Sequence, residues 1–262
     1  MSAARVDPSL LLVGDDGDPV VAGLAELARA GGRAVTVAPP ARAARMFSVA
    51  CDGARATVEP AVPMLLRAAR PRADPRDEQA RFHADELAAT LWAAGALSPA
   101  PVVNRPGPNG WAGGLSASAA VTERRAGVDE GRAETFATAP PGDGGWWVED
   151  AGTRRVAVSP DAPGPGPFRM RPAAAWEGYE LVAVVGDRAW RSTALDLGGL
   201  RLEPRSVAAC RALGLQFAAV TWGIEPRAAG AAVARIDAFP TAEQLRPCWP
   251  DVARALLALL TP

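Results

Sequence analysis

The chain has 262 residues, 49% apolar and 22% charged, which allows one large domain or two small ones around a core of ordinary composition. Every one of its 28 basic side chains is arginine and it has one histidine, His83, so lysine chemistry (a P-loop lysine, a Schiff base) and metal centres that need two imidazoles are excluded. A formal charge of −1 argues against a nucleic-acid partner, and no stretch approaches the ~20 apolar residues of a membrane span, so a cytoplasmic protein with no membrane contact is expected.

Leu10 to Val13, closed by Gly14, is the short apolar run of a buried strand. Asp18 and Pro19 then supply an N-cap and a first-turn proline for a helix in which Val20, Val21, Leu24, Leu27 and Ala28 recur at helical spacing. Gly31-Gly32 end it, and Ala34 to Val37 reads as a second strand, making a βαβ opening. A phosphate cradle after the first strand is disfavoured, because Asp15, Asp16 and Asp18 repel an anion and no GxGxxG is present. Residues 47–59 alternate as a strand or hairpin, and Met64 to Leu66 is a brief strand leading into Arg67, Arg70 and Arg72. Asp77 to Gly95 is a predicted helix with Phe82, Leu87, Leu91 and Trp92 as its apolar stripe, and Val102 to Asn104 a further strand. Residues 1–105 therefore read as a small open α/β domain.

Between residues 106 and 167 proline and glycine dominate, and the stretch reads as an irregular insert with two short strands around Trp146 to Val148 and Arg155 to Val158. Regular pattern resumes at Phe168 to Arg171, followed by Tyr179 to Val185, a Gly186-Asp187 turn and Ala189 to Leu195 as antiparallel strands. A helix opening at Pro204 carries Val207, Cys210 and Leu213, two strands cover Phe217 to Trp222 and Ala232 to Ile236, and Pro250 starts a closing helix with Val252, Leu256, Leu259 and Leu260. Residues 168–262 form the second, α+β domain on this reading.

Five stretches stand in a telling order: Pro63 to Arg67, the helix around Glu86 with Val102 to Pro106 after it, Tyr179 to Asp187, Leu213 to Val220, and Ala234 to Pro240. Together they resemble the ATP-grasp ligases, particularly the microviridin-macrocyclase type that modifies ribosomal peptides. The resemblance implies an α/β architecture: an N-terminal pre-ATP-grasp-like domain followed by an ATP-grasp-like α+β domain. It also implies a site at which ATP and two or more Mg²⁺, held by carboxylates and an amide, make an acyl phosphate.

The residues at the implied positions do not suit that chemistry. Thr221 stands at the first metal carboxylate, Arg235 at the family's glutamate, and Asp237 at its asparagine; Val182, two residues after Glu180, stands where a phosphate-facing arginine is usual. With no lysine and with 106–167 in place of the nucleotide-clamping subdomain, a truncated and degenerate ATP-grasp domain is expected, one that binds neither ATP nor Mg²⁺ well. The leading expectation is a non-catalytic recognition or scaffold subunit for a peptide substrate or a biosynthetic enzyme partner, with a homodimer left open. Its candidate contacts are Arg67, Arg70, Glu86, Asn104 and Arg105 in the first domain, where arginine forks suit carboxylates and carbonyls, and Trp111, Trp146 and Trp147 in the insert. Two alternatives stay open: an ATP-dependent carboxylate-amine ligase completed by a partner subunit, with Asp237 as its remaining ligand, and a thiol-dependent transferase or hydrolase. The latter needs Cys51 or an exposed Cys248 beside His83, Cys210 falling on the apolar stripe of its helix.

Overall fold

The computed structural model describes residues 10–15, 17–53, 55–67, 77–107, 135–139, 145–150, 156–158, 164, 166–172, 176–192, 199–225 and 230–261. Strand β1 (Leu10–Val13) is apolar throughout because both its faces are covered. It lies inside a four-stranded parallel sheet of order β2-β1-β5-β6, with β2 at Val35–Ala38, β5 at Met64–Leu66 and β6 at Val102–Val103. Helix α1 (Pro19–Ala30) connects β1 to β2, and the Asp18 carboxylate accepts from the backbone N–H of Val20 and Val21 at its N-terminus. Between β2 and β5 come a short α2 (Pro40–Ala44) and a two-stranded hairpin, β3 (Ser48–Asp52) with β4 (Arg55–Glu59).

Helix α3 (Glu78–Leu97) departs from its expected stripe. The residues it buries are Ala84, Ala88, Leu91, Ala94 and Gly95, while Phe82 is exposed. Small side chains let the helix lie close to the sheet: a Cβ on Gly95 would stand 2.7 Å from Leu66 Cδ1 and 3.1 Å from the Pro106 ring. Gly95 thus serves close packing, and the helix runs on past it to Leu97 instead of ending there.

The middle of the chain differs most from expectation. Strands β7 (Thr135–Ala137), β8 (Trp146–Asp150), β9 (Val156–Val158) and β10 (Phe168–Pro172) build an antiparallel sheet of order β7-β10-β8-β9. The stretch read as an irregular insert supplies three of its strands, and β10, assigned above to the C-terminal domain, pairs with them. Val148, Phe168 and Met170 form its small core, with Trp146 packed against them.

The third sheet, also antiparallel, has the order β12-β11-β13-β14, with β11 at Gly178–Val185, β12 at Arg188–Arg191, β13 at Phe217–Ile224 and β14 at Ala231–Asp237. The expected Gly186-Asp187 turn joins β11 to β12, and Gly186 takes the positive φ, 61°, that such a turn demands. One face packs Val182, Val184, Val220 and Trp222 against α4 (Leu202–Ala212). The opposite face packs Ala183, Val185 and Phe217 against Leu10, Leu12 and Leu65 of the parallel sheet and against α6 (Trp249–Leu260), which follows α5 (Ala242–Leu245) and a 3-10 turn. Among the described residues no helix is long and apolar enough to cross a membrane.

Candidate functional site

Successive side chains of a strand point to opposite faces, so the third sheet sorts the candidate residues into two groups. Glu180 and Val182 lie on the α4 face. Thr221, in register with Leu181, lies on the other, and so does Arg235, its neighbour across β14. The pairing of β13 with β14 slips at this point: Thr221 opposes Arg235, Trp222 opposes Val233, and Ala234 is left as the extra residue of a bulge. The bulge turns Ala234 and Arg235 toward the second sheet, where a cleft of about 220 Å³ opens.

Trp147 and Arg171 come to this cleft from β8 and β10, Tyr179 from β11, Thr221 and Arg235 from β13 and β14, and Trp176 from the segment just before β11. Arg171 spans it. Its Nη2 donates to the Ala234 carbonyl at 3.1 Å, and its guanidinium sits 6.0 Å from the centre of the Trp147 ring, at the edge of cation–π range. Arg235 is 69% exposed and donates from Nη2 to Asp237 Oδ2 at 3.1 Å, while Asp237 Oδ1 accepts from the Phe239 N–H at 3.1 Å. The carboxylate that could touch a metal is therefore already engaged on both oxygens. Trp176 lies flat against Gly223 of β13, where any Cβ would run into the indole.

On the α4 face, the fully buried Glu180 carboxylate pairs with Arg191 Nε at 3.2 Å. Beside it the Trp222 indole N–H donates to Ser206 Oγ at 2.8 Å, and the Arg205 guanidinium stacks 4.4 Å from the Trp222 ring centre. These are internal contacts of the fold. Grouping Glu180 and Val182 with Thr221, Arg235 and Asp237 in one site is thus corrected: the sheet stands between them, and the hairpin residue in register with Thr221 is Leu181.

The N-terminal group separates as well. Asn104, 1% exposed, donates from Nδ2 to the carbonyls of Phe217 (2.6 Å) and Ala238 (2.9 Å) and accepts on Oδ1 from the N–H of Gln216 and Phe217. Nothing of its amide remains for a ligand. Arg105 closes the C-terminus of α3, its Nη1 donating to the carbonyls of Gly95, Ala96 and Ser98 and its Nη2 to that of Ala100. Arg67, its side chain 6% exposed, bonds Asp18 and the Pro240 carbonyl, both at 2.8 Å, and its buried Nη1 has no partner among the described residues. Glu86 lies on the solvent side of α3 and does not join them. In place of an open peptide cleft, Asn104, Arg105 and Arg67 are internal ties. Of the aromatic candidates, Trp147 lines the cleft and Trp146 packs on the core of the second sheet; Arg70 and Trp111 lie outside the described residues.

The thiols form no dyad. Cys210 is fully buried, and burial pushes its thiol up to about 12; Cys248 is buried as well, contrary to expectation, with its thiol raised by burial and then by Asp251. Cys51 and His83 are exposed on different elements, and among the described residues no hydrogen bond joins His83 to a thiol. Among the described residues no three of His, Cys, Asp and Glu come together as a metal-ligating set. A larger opening of about 540 Å³ beside Pro19, Glu243 and Trp249 carries none of the candidate residues.

Sequence reasoning missed Arg171, Trp176 and Tyr179. The alternation of Phe168 to Arg171 puts Arg169 and Arg171 on one face, a signal in the sequence, but what that face meets depends on a pairing distant in the chain.

No protein-family model and no curated protein matches the chain. Solved structures do. The ATP-grasp ligase PsnB, complexed with a phosphomimetic variant of its minimal precursor, Mg and ADP, superposes with a TM-score of 0.68 at 17% identity over 97% of this chain and 99% of that one. Macrocyclase MdnC from Microcystis aeruginosa MRC, bound with precursor peptide MdnA, gives 0.67 at 12% identity over 97% and 99%. A RiPP-associated ATP-grasp ligase from Chryseobacterium gregarium, with ADP and a leader and core peptide, gives 0.61 at 12% over 96% of each chain. These superpositions run over nearly the full length of both chains. In its fold the chain is an ATP-grasp-like protein of the build seen in PsnB and MdnC.

Proposed function

We propose that this protein is a non-catalytic ATP-grasp-like subunit that recognises a peptide or an enzyme partner in a peptide-modifying biosynthetic pathway. The peptide link draws on the structural neighbours, whose structures hold precursor peptides. The observation that carries the loss of catalysis is the Thr221–Arg235 pair at the β13–β14 bulge, with Arg235 bonded to Asp237. Acyl-phosphate formation needs Mg²⁺ ions held by anionic oxygen ligands to neutralise phosphate charge. A hydroxyl and a guanidinium face this cleft instead, and the nearby carboxylate is satisfied by protein donors. These residues do not fit a divalent cation. The cleft itself, about 220 Å³ with Trp176 laid against Gly223, falls below the ~300–1,000 Å³ typical of small-molecule pockets.

Calorimetric titration of the purified protein with MgATP should show no binding heat, and a coupled assay should show no ADP release. Measurable turnover by the protein alone would overturn the reading. Turnover that appears only when a second subunit is added, and that Asp237→Ala abolishes, would make the chain the partner-completed ligase instead.

A further inference from the structure

Among the described residues the β3–β4 hairpin stands as a sheet of its own, and the outer edge of β4 makes no backbone hydrogen bond beyond the ladder with β3. Strand β4 leaves Arg55, Ala56, Thr57 and Glu59 exposed and buries only Val58. Free edges are commonly blunted by lysine, proline or a bulge. The chain has no lysine, β4 holds no proline, and its register with β3 runs without a shift. The ladder also fixes which groups the edge presents. Gly53, at φ 57°, sits in the turn and Asp52 pairs with Arg55 across it, so this closing pair exchanges hydrogen bonds and the pairs alternate from there. Arg55, Thr57 and Glu59 therefore direct their N–H and C=O groups to β3, while those of Ala56 and Val58 point outward. Laid antiparallel against itself about Thr57, the segment Arg-Ala-Thr-Val-Glu sets Ala56 opposite Val58 of a second copy, and every outward group finds a partner. The same register puts Arg55 opposite Glu59 of the second copy and Thr57 opposite its own equivalent, all in the closer, non-hydrogen-bonded pairs where side chains meet. Neither Arg55 nor Glu59 has an ion-pair partner among the described residues.

Other strands do not match themselves in this way. Centred on Ala50, β3 would oppose Ser48 to Asp52 and leave the carboxylate without a cation, and β12 would bring Arg188 against Arg191. We propose that β4 pairs antiparallel with β4 of a second copy of this chain, across a twofold axis at Thr57, joining two hairpins into one continuous sheet of order β3-β4-β4-β3. The contact is isologous, so each favourable pair occurs twice. A strand edge this short buries less surface than a tight dimer needs, and a weak, concentration-dependent dimer follows. Nothing in the pairing depends on the cleft or on nucleotide.

Sedimentation velocity of the intact protein from micromolar to millimolar concentration should show a monomer–dimer equilibrium. Arg55→Glu faces Glu59 of the second copy with a like charge and should weaken the dimer about tenfold, as should Glu59→Arg, whereas the double variant Arg55→Glu/Glu59→Arg should restore it. Ala56→Pro removes an outward N–H at an edge position where the β3 ladder does not use it, and should abolish pairing while circular dichroism stays unchanged. The register has its own readout. With the exposed native thiol removed by Cys51→Ser, Thr57→Cys should cross-link as a dimer under diamide, because a non-hydrogen-bonded pair holds its Cα atoms about 4.5 Å apart, within disulfide reach. Ala50→Cys, one strand further from the axis, should not. A monomer at every concentration overturns the proposal, as does a dimer that Arg55→Glu and Ala56→Pro leave unchanged, a charge swap that restores nothing, or cross-linking no greater at position 57 than at position 50. MgATP turnover would overturn the non-catalytic reading and leave the dimer standing.

Discussion

Asn104 shows how much one residue can hold. It ends β6 with φ 54°, a left-handed conformation that asparagine tolerates better than most side chains, and this turns its amide into the gap between the parallel sheet and the ends of β13 and β14. Four hydrogen bonds to the backbone of Gln216, Phe217 and Ala238 follow. Removing the side chain leaves buried N–H and C=O groups unpaired, at about 1–3 kcal/mol for each group that water cannot reach. Asn104→Gly keeps the φ and loses the bonds; Asn104→Ala loses both. Urea unfolding should show a drop of several kcal/mol for each, about 1 kcal/mol larger for alanine because of backbone strain, with an unchanged m-value. Equal stability of Asn104→Gly and the parent protein would contradict the tie. Sequence alone singled out Asn104 by resemblance, but its partners lie more than a hundred positions away in the chain, so its internal role was not legible there.

At the scale of elements, local periodicity served well where a strand or helix carries its own signal. The βαβ opening, the Gly186 hairpin and the closing helix all stand as their patterns imply, because capping, turn chemistry and apolar spacing are short-range effects. The second sheet was legible only in part: the short strands expected around Trp146 to Val148 and Arg155 to Val158 stand as β8 and β9, whereas β7 has three residues, too few for a period, and its place comes from pairing with β10. The β13–β14 bulge was hidden for a related reason, since one extra residue on one strand leaves no mark in hydrophobic pattern yet decides which side chains meet the cleft. Gly223 is the element's other device. It lets Trp176 lie against β13, so Gly223→Ala should lift the indole off the strand. A red shift of tryptophan emission and a loss of about 1–3 kcal/mol are expected, the overpacking range for a well-filled site. If emission and stability were both unchanged, Trp176 would not be seated as described.

For the whole molecule, the division at residue 105 does not describe how the core is shared. Helix α6, last in the chain, packs Val252, Leu256 and Leu260 into one cluster with Leu10, Leu12 and Leu24 from the first sheet and its helix, and with Ala183, Val185 and Phe217 from the third. Arg67 reinforces the same junction by reaching from the end of β5 to the Pro240 carbonyl. Two halves joined only by a linker would unfold independently, whereas halves that complete each other's core lose stability together. Denaturation followed by tryptophan fluorescence and by far-ultraviolet circular dichroism should therefore give coincident transitions, since seven of the eight tryptophans follow residue 105 and the helices lie on both sides of it. Leu256→Ala, which empties a fully buried position at the centre of that cluster, should lower stability by about 2–5 kcal/mol and move both transitions by the same amount. Two separated transitions, or a shift confined to one probe, would show that the parallel sheet and the C-terminal sheet are independent bodies. The geometry of the cleft argues for coincidence, because Arg171 can meet the Ala234 carbonyl only while the β13–β14 bulge is held in place, and the end of β14 is anchored through Asn104 and Arg67 to the first sheet.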